Sequence, residues 1–303
     1  MTIDIIGAGL AGLLAANMLQ HRRPRVYEKQ TGVPNNHSAV LRFRTSQIGD
    51  ITHIPFRKVT MIKCTAPWQS PVADALAYSF KNTGTYRSDR SINAGTKVED
   101  RFIAPPNLIQ QLADRVEEYY GTSEYKFEKT EAWQPRISTI PMPLLMAALD
   151  YPDRHKVLFT NVSGVNFTAK IEDCDAYISV LVPDPRVNVS RISVTGNEVV
   201  AECYTTDIDA RRTMLDVAGI LGIPFQKFSA FSRHEQKYAK INPIDDRIRK
   251  DFMFWATDNF GIFSLGRFAT WRPGLLLDDL VKDIRLIDGW IQNSDRYAIA
   301  RHR

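Results

Sequence analysis

The chain opens with two short apolar runs separated by a segment rich in alanine and leucine. Residues 2–7 and 24–28 are predicted to be buried strands, and residues 10–21 are predicted to be the helix between them. A strand, a helix and a second strand in this order form a βαβ unit, in which the two strands are parallel. The hydrophobic pattern therefore predicts an α/β fold from the first residues onward.

The connection between the first strand and the helix holds three glycines in the order G-x-G-x-x-G. Gly7 makes the tight turn, Gly9 lets a pyrophosphate approach the backbone, and Gly12 lets the helix pack close to the strand. Leu10 and Ala11 begin the helix, where unpaired N–H groups and the positive end of the helix dipole favour phosphate. This spacing predicts a dinucleotide-binding site.

An acidic residue stands where such a site needs one. Glu28 ends the second strand and Lys29 follows it. A carboxylate at this position accepts hydrogen bonds from the hydroxyls of an adenosine ribose. A tight turn without a ligand would explain the glycines alone, but not a strand, a helix and an acid in register. We therefore predict that the chain binds FAD or NAD, with Glu28 and Lys29 in the cofactor site.

The middle of the chain is rich in strand patterns. Turn residues such as Asp184-Pro185 and Gly196-Asn197 separate the apolar runs, so an antiparallel sheet is predicted. These runs cover residues 157–159, 165–171, 176–182, 187–194 and 198–204. Further strands are predicted over residues 54–64 and 132–140, and helices over residues 107–120, 144–149 and 207–221.

A second strand–glycine–helix unit comes late in the chain. Residues 261–267 form a predicted strand that ends in glycine, and a long helix is predicted from about Gly274 through Trp290. A free-standing NAD module would be complete in the first half of the chain, so this return indicates one large FAD-binding fold with an inserted domain. Because there is no second G-x-G-x-x-G motif, we expect no dedicated NADPH domain.

The predicted fold class is thus α/β, with a Rossmann-like FAD-binding domain and an inserted antiparallel β-sheet substrate domain. Residues 1–60 and 225–303 are assigned to the FAD-binding domain, with part of residues 100–150. Residues 61–224 are assigned mostly to the substrate domain.

The composition is that of a globular enzyme: 303 residues, of which 44% are hydrophobic and 24% charged. The three cysteines are scattered and the six histidines form no metal-binding pattern, so we expect neither a disulfide framework nor a metal site. No apolar run approaches the roughly 18 residues that span a bilayer. The first strand starts at residue 3, which leaves no room for a signal peptide, and a cytoplasmic protein without a membrane partner is expected. The net charge of +5 keeps DNA open as a partner, although short basic runs are most often solvated faces.

Residues 4–13 resemble the first FAD motif of a broad superfamily of FAD-dependent oxidoreductases, which holds amine oxidases, aromatic hydroxylases and UDP-galactopyranose mutases. Residues 137–143 and 261–271 are similar to segments of the mutase and amine-oxidase branch, and residues 237–241 add to this likeness. Within 261–271, a Gly-Arg pair replaces the Gly-Asp pair typical of the hydroxylases.

The resemblance implies FAD as the cofactor. It implies that the ADP half is held by Gly7, Gly9, Gly12 and Glu28, that the pyrophosphate and flavin lie near Arg42 and Arg44, and that the ribityl-phosphate portion meets Gly266 and Arg267. It also implies that the helix after Pro273, with Leu277 near its start, directs its N-terminus at the pyrimidine ring of the flavin. Reduced flavin carries negative charge there, which a helix N-terminus stabilises.

Few residues stand out as catalytic. Tyr238 and Lys240 are candidates for a substrate contact and a proton-transfer group, and Trp271 is a candidate wall over the flavin. Core packing or surface charge is the commoner role of each of these residue types. His37 is a candidate base, although a loop histidine is more often polar surface.

The resemblance implies an oxidoreductase that oxidises the C–N bond of an amine or amino-acid group, as an oxidase or lyase. A fainter likeness to phage flavoproteins that hypermodify thymine extends this expectation to an amino-acid-modified thymine in DNA, in a host cytoplasm. The substrate is expected to be a small molecule or a nucleotide. Two other classes stay open: a non-redox flavin mutase or isomerase of the UDP-galactopyranose mutase type, and an NAD(P)H-dependent flavin monooxygenase.

Overall fold

The computed structural model describes residues 2–30, 41–86, 95–121, 125–128 and 134–293. These residues contain two β-sheets with helices packed against them, which confirms the predicted α/β class. The helices, in chain order, are α1 Leu10–Met18, α2 Gln47–Thr52, α3 Pro71–Thr83, α4 Leu108–Ala113, α5 Met142–Ala148, α6 Ala210–Leu221, α7 Asp246–Phe260 and α8 Asp279–Gln292.

The first sheet has five strands, all parallel, in the order β13-β7-β1-β2-β6. Its strands are β1 Ile3–Ile6, β2 Pro24–Glu28, β6 Glu118–Gly121, β7 Arg136–Ser138 and β13 Ile262–Ser264. The predicted opening βαβ unit is therefore confirmed, with β1 at the centre of the sheet. The late strand β13 joins the same sheet, as the strand–glycine–helix pattern indicated.

The second sheet has eight strands in the order β12-β8-β11-β10-β9-β4-β5-β3. Its strands are β3 Arg42–Phe43, β4 Arg57–Thr65, β5 Lys97–Ile103, β8 Asn161–Ile171, β9 Ala176–Leu181, β10 Val189–Gly196, β11 Glu198–Cys203 and β12 Phe228–Ile241. The pairings are antiparallel except between β4 and β9, so the sheet is mixed. Strands β3 and β12 come from the segments assigned to the FAD-binding domain, and the domain limits themselves stay a prediction.

The two sheets are buried in different ways. Strand β1 buries Ile3 and Ile5 completely, in one apolar cluster with Leu13 of α1 and Ile284 of α8. A strand that is apolar at almost every position is typical of a parallel sheet covered on both faces.

The second sheet instead has one apolar and one polar face. Alternate residues such as Phe167 and Val199 enter an apolar cluster with Met214 of α6. The residues between them face the opposite way, because successive side chains of a strand alternate. That opposite face carries Arg191 and Glu202, which pair directly across β10 and β11.

The helix predicted over residues 107–120 is wrong in its second half. Helix α4 ends at Ala113, and residues 118–121 form β6, which pairs with β2. Helical spacing does continue through Val116 and Tyr119. The free edge of β2 nevertheless gains backbone hydrogen bonds from a strand, and Tyr120 stacks on Tyr27 with ring centroids 5.1 Å apart. Tertiary pairing outweighs local periodicity here.

The last helix begins at Asp279, five residues later than predicted from Gly274. Turns precede it: the Leu275 amide bonds to the Arg272 carbonyl, and the Asp279 carboxylate accepts the Leu276 amide at 2.8 Å. Proline and glycine at 273–274 disfavour a helix interior, so the chain stays in turns until the helix begins at Asp279. The run predicted as a strand at 157–159 is also wrong, because it follows a short 3₁₀ turn and pairs with no strand in the described part.

Candidate functional site

Several of the predicted cofactor residues lie at one edge of the first sheet. Because its strands are parallel, their carboxyl ends share that edge, which is where ligands bind in open α/β sheets. Gly7 follows β1, Glu28 ends β2, Thr139 follows β7 and Gly266 comes shortly after β13. The Thr139 amide bonds to the Ile6 carbonyl at 2.9 Å, which ties two of these strand ends together.

The three glycines of the opening motif have different surroundings. Gly7 has a φ of +102°, and a Cβ there would lie 2.1 Å from Thr139 Oγ1. A Cβ on Gly12 would lie 1.9 Å from the Gly7 carbonyl oxygen. Gly9 caps the start of α1, and a Cβ there would meet no atom within 4 Å. Two glycines are thus required by packing, while the third faces open space at a helix N-terminus.

The late loop of the chain closes against this helix. Gly266 has a φ of +94°, and a Cβ on it would lie 3.2 Å from the Cβ of Ala11. The residues that the sequence assigns to the pyrophosphate and to the adjoining ribityl phosphate of a bound FAD therefore lie next to each other. Their contacts with the cofactor stay a prediction.

Glu28 lies against the glycine turn. Its Oε2 accepts the Ala8 amide at 2.7 Å, and its Oε1 accepts the Gln30 amide at 3.1 Å. These bonds hold the carboxylate at the end of β2, beside the start of α1. Lys29 is exposed.

The start of α8 is tied to the segment after β3. The Asp278 carboxylate accepts the backbone amides of Arg44 and Thr45, each at 3.0 Å, and the Thr45 hydroxyl at 3.0 Å. The Arg44 side chain is exposed beside this anchor. Leu277, directly before the aspartate, packs against the first core. This arrangement fixes the helix N-terminus that the sequence assigns to the flavin.

Arg267 supports the loop before that helix. Its Nη2 and Nε donate to the Leu275 carbonyl at 2.7 and 3.1 Å. The loop is further held by Thr270, whose hydroxyl donates to the Gly266 carbonyl at 2.7 Å. The contact of Arg267 with the ribityl phosphate stays a prediction.

Arg42 lies on the second sheet. Its Nη2 donates to Ser193 Oγ at 2.7 Å, and its Nη1 lies 2.9 Å from Met61 Sδ. Desolvation, followed by the nearby charge of Arg191, lowers the pKa of Arg42 to about 10. The structure shows this guanidinium against Met61 and Ser193, and its predicted contact with the pyrophosphate and flavin stays a prediction.

A charged network lies on the same polar face, and sequence reasoning missed it. Arg191 Nε donates to Glu202 Oε1 at 3.0 Å, the Tyr204 hydroxyl donates to Glu202 Oε2 at 3.1 Å, and Lys240 lies 5.0 Å from the Tyr204 ring centroid. Desolvation raises the pKa of Glu202, but the charges of Arg191 and Lys240 lower it further, so it lies below its ordinary value. The available signal was a charged residue at alternate positions of otherwise apolar strands.

The candidate catalytic aromatics lie in a third apolar cluster. Trp271 is 1% exposed, and its Nε1 donates to the Asn242 carbonyl at 2.9 Å. The Tyr238 ring lies 6.1 Å from the Trp271 ring and 5.8 Å from that of Phe268. These are the surroundings of core aromatic residues, so a catalytic role for either stays a prediction. His37 lies outside the described residues.

The described part of the chain has neither a candidate metal site nor a candidate membrane-spanning helix. It contains no group of three or more His, Cys, Asp and Glu side chains that could hold a metal ion. None of the described helices is long and apolar enough to cross a bilayer.

No family model and no curated protein matches the sequence. Solved structures do match. A reduced UDP-galactopyranose mutase is 13% identical with a TM-score of 0.65, over 99% of this chain and 96% of that one. An oxidoreductase from Methanosarcina mazei is 9% identical with a TM-score of 0.60, over 95% and 100%. Aklavinone-11 hydroxylase, solved with FAD and aklavinone, is 12% identical with a TM-score of 0.54, over 96% and 62%. This chain therefore shares the fold of these solved structures, one of which holds FAD.

Proposed function

We propose that this chain is an FAD-dependent enzyme that oxidises the C–N bond of an amine or amino-acid group. The observation that carries the cofactor is the edge of the first sheet, where Gly9 leaves open space at the start of α1 between Glu28 and Gly266. Open space of this kind at a helix N-terminus fits a pyrophosphate. The fold that the chain shares with a hydroxylase solved with FAD supports the same cofactor.

The residues present divide the cofactor between them. The amides at the start of α1 would hold the pyrophosphate, Glu28 would accept the ribose hydroxyls, and the anchored N-terminus of α8 would lie toward the flavin. When bound, FAD supplies a hydride acceptor. The protein's own part is to hold the substrate C–H over the ring, keep the amine neutral and exclude water.

The polar face of the second sheet is the proposed substrate surface. It carries Arg42, Arg191 and Glu202, while the apolar face is already covered by α6. A polar, partly accessible sheet face with fixed charges can orient a substrate without supplying a nucleophile. Such a surface suits amine oxidation, because the flavin carries the difficult chemistry.

A second candidate is a flavin mutase or isomerase with no net redox change. The UDP-galactopyranose mutase structure, which matches along nearly the whole of both chains, favours it. This candidate requires reduced flavin for turnover and forms no hydrogen peroxide.

The first test is the visible spectrum of the purified protein, taken anaerobically before and after adding NADPH and then glycine-bearing nucleosides. A flavin spectrum bleached by the amine and not by NADPH supports the C–N oxidation. Bleaching by NADPH that substrate accelerates indicates a monooxygenase, and turnover only after dithionite reduction indicates the mutase class. A protein that stays colourless with added FAD rejects the cofactor.

We also propose DNA as a carrier of the substrate group, on the strength of the net charge of +5. Binding of single- and double-stranded DNA would then weaken steeply with salt, because binding releases counterions from the phosphates. Absence of salt-sensitive binding to either form leaves a free small molecule as the substrate.

A further inference from the structure

We propose that Arg42 is an anion-binding residue of the substrate site, and that it takes the carboxylate of an amino-acid substrate on the polar face of the second sheet. The amine half of this substrate rests on the proposed function. The resemblance to flavoproteins instead implies that Arg42 contacts the cofactor. The two assignments predict different effects of an Arg42 substitution on the binding of anions and of FAD.

The position of the guanidinium is the first reason. Arg42 lies on β3 at the edge of the second sheet, and its side chain reaches over β4 to β10, where it bonds to Ser193. Ser193 is 2% exposed, so its hydroxyl holds the guanidinium from below. Arg42 itself keeps part of its surface accessible. The guanidinium is thus fixed in position by a buried hydroxyl and remains accessible to a ligand.

The balance of charge is the second reason. The charged groups that act on Arg42 are Arg191, Glu202 and Arg101. Arg191 pairs with Glu202, and Arg101 pairs with Glu99. Arg42 has no carboxylate partner among the residues that the structure describes, and its contacts there are one hydroxyl and one thioether. The neighbouring acids are already taken, which leaves one uncompensated positive charge.

A guanidinium that is partly removed from bulk water and has no carboxylate partner is unfavourable, and a bound anion would neutralise its charge. Desolvation and the like charge of Arg191 together lower the pKa of Arg42, which shows that its surroundings oppose the charge. A guanidinium has five N–H donors in a planar fork that matches a carboxylate. With two directions used by Met61 and Ser193, other donors remain for a ligand.

The chain also places the backbone of Arg42 close to the start of α8, the helix assigned to the flavin. Two residues after Arg42, the Arg44 amide is bound by Asp278 at the start of α8. Two residues span at most about 7 Å between Cα atoms. The backbone of Arg42 therefore lies within about 7 Å of the residue that is tied to the start of α8, while its guanidinium reaches Ser193. An amino-acid group has its carboxylate on the carbon that is oxidised, so one anchor positions the reacting atom.

The test separates the substrate and cofactor assignments by binding rather than by turnover. Acetate and inorganic phosphate are titrated by calorimetry into FAD-loaded wild-type protein, Arg42→Met and Arg42→Lys. The matched control is Arg57→Met, which removes an exposed arginine on β4 of the same sheet. FAD affinity is measured separately for each protein by flavin fluorescence.

We expect acetate to bind the wild-type and Arg57→Met proteins alike and at least about tenfold more weakly to Arg42→Met, the loss of one charge-assisted hydrogen bond. Arg42→Lys should keep part of the binding, since it retains the charge without the fork. FAD affinity should stay within about threefold throughout. Because Arg42→Lys preserves the charge, it answers the question even if Arg42→Met does not fold.

Three results would overturn the proposal. Equal acetate affinity in the wild-type and both Arg42 variants would remove the anion site. A loss of FAD affinity with unchanged acetate binding would return Arg42 to the cofactor. Arg42-dependent binding of phosphate but not acetate would assign the site to a phosphorylated group. If amines fail to reduce the flavin while acetate binding still depends on Arg42, the C–N oxidation is rejected and the anion site stands.

Discussion

Substitution of alanine for Gly12 and for Gly9 in the opening motif should affect different properties of the protein. A Cβ on Gly12 would lie 1.9 Å from the Gly7 carbonyl oxygen, whereas ordinary contact begins at 3.4 Å. The neighbour is backbone, so α1 and the turn must separate. A Cβ on Gly9 meets nothing within 4 Å in the free protein. Gly12→Ala should therefore damage the fold, and Gly9→Ala should mainly damage the binding of FAD.

The magnitudes follow from these distances. Overpacking a well-filled site costs about 1–3 kcal/mol, and a clash between two backbone segments belongs at the upper end. Alanine returns about 1 kcal/mol of helix propensity at Gly12. The net loss of about 2 kcal/mol lowers Tm by roughly 4 °C in a chain of this size. At Gly9, with a φ of −69°, alanine is a poorer helix cap than glycine and costs the free protein about 0.5–1 kcal/mol.

FAD binding provides the second readout. A methyl group on Gly9 would occupy the space where the pyrophosphate meets the backbone. Each charge-assisted hydrogen bond lost there costs about 1.5–3 kcal/mol, so FAD affinity should fall by roughly 10- to 100-fold. The assays are thermal unfolding of the apoprotein, followed by circular dichroism, and titration of FAD, followed by its fluorescence. Wild-type Tm in Gly12→Ala would refute the packing argument, and wild-type FAD affinity in Gly9→Ala would refute the placement of the pyrophosphate.

Three further predictions concern charge and packing. Glu202→Gln leaves Arg191, which is 39% exposed, without its carboxylate partner, and should lower the free energy of unfolding measured in urea by roughly 1–3 kcal/mol. Because the pKa of Glu202 is depressed in the folded protein, its stabilising effect is present at neutral pH and lost on acidification. The stability of the variant should therefore fall less steeply with decreasing pH than that of the wild type. Burial lowers the pKa of Lys81 to about 8, so the unfolded chain holds that proton more tightly and stability should rise between about pH 8 and pH 10; equal slopes in Lys81→Met and wild type would contradict this. Trp271→Phe loses the hydrogen bond to the Asn242 carbonyl and should lower the free energy of unfolding by about 1 kcal/mol without slowing anaerobic flavin reduction. A tenfold slower reduction at unchanged Tm would instead indicate a direct role of Trp271 at the flavin.

The parts of the fold that depend on local sequence could be predicted. The opening strand, glycine turn and helix are encoded within the first residues, and the structure confirms them. The late strand at β13 could also be predicted, because an apolar run ending in glycine carries its own signal. Capping added further local information, as at Gly222, which ends α6 with a φ of +68°.

The parts that depend on strand pairing could not. Strand β6 resembles a helix by spacing and becomes a strand only because β2 has a free edge. Strand β12 is polar and mostly exposed along its length, so no apolar alternation marks it. The bond between Arg42 and Ser193 joins residues 151 positions apart. A single sequence provides the residue types on each strand but not the register that brings them together.

The bonds from Asp278 to the amides of Arg44 and Thr45 make the start of α8 and the end of β3 one mechanical unit. A ligand that fixes α8 thereby reduces the conformational freedom of Arg42, two positions before Arg44. Thermodynamic linkage then requires reciprocity: the factor by which FAD tightens anion binding must equal the factor by which the anion tightens FAD binding. Cofactor and substrate would thus each select the protein already prepared for the other, which favours a complete complex over half-filled states.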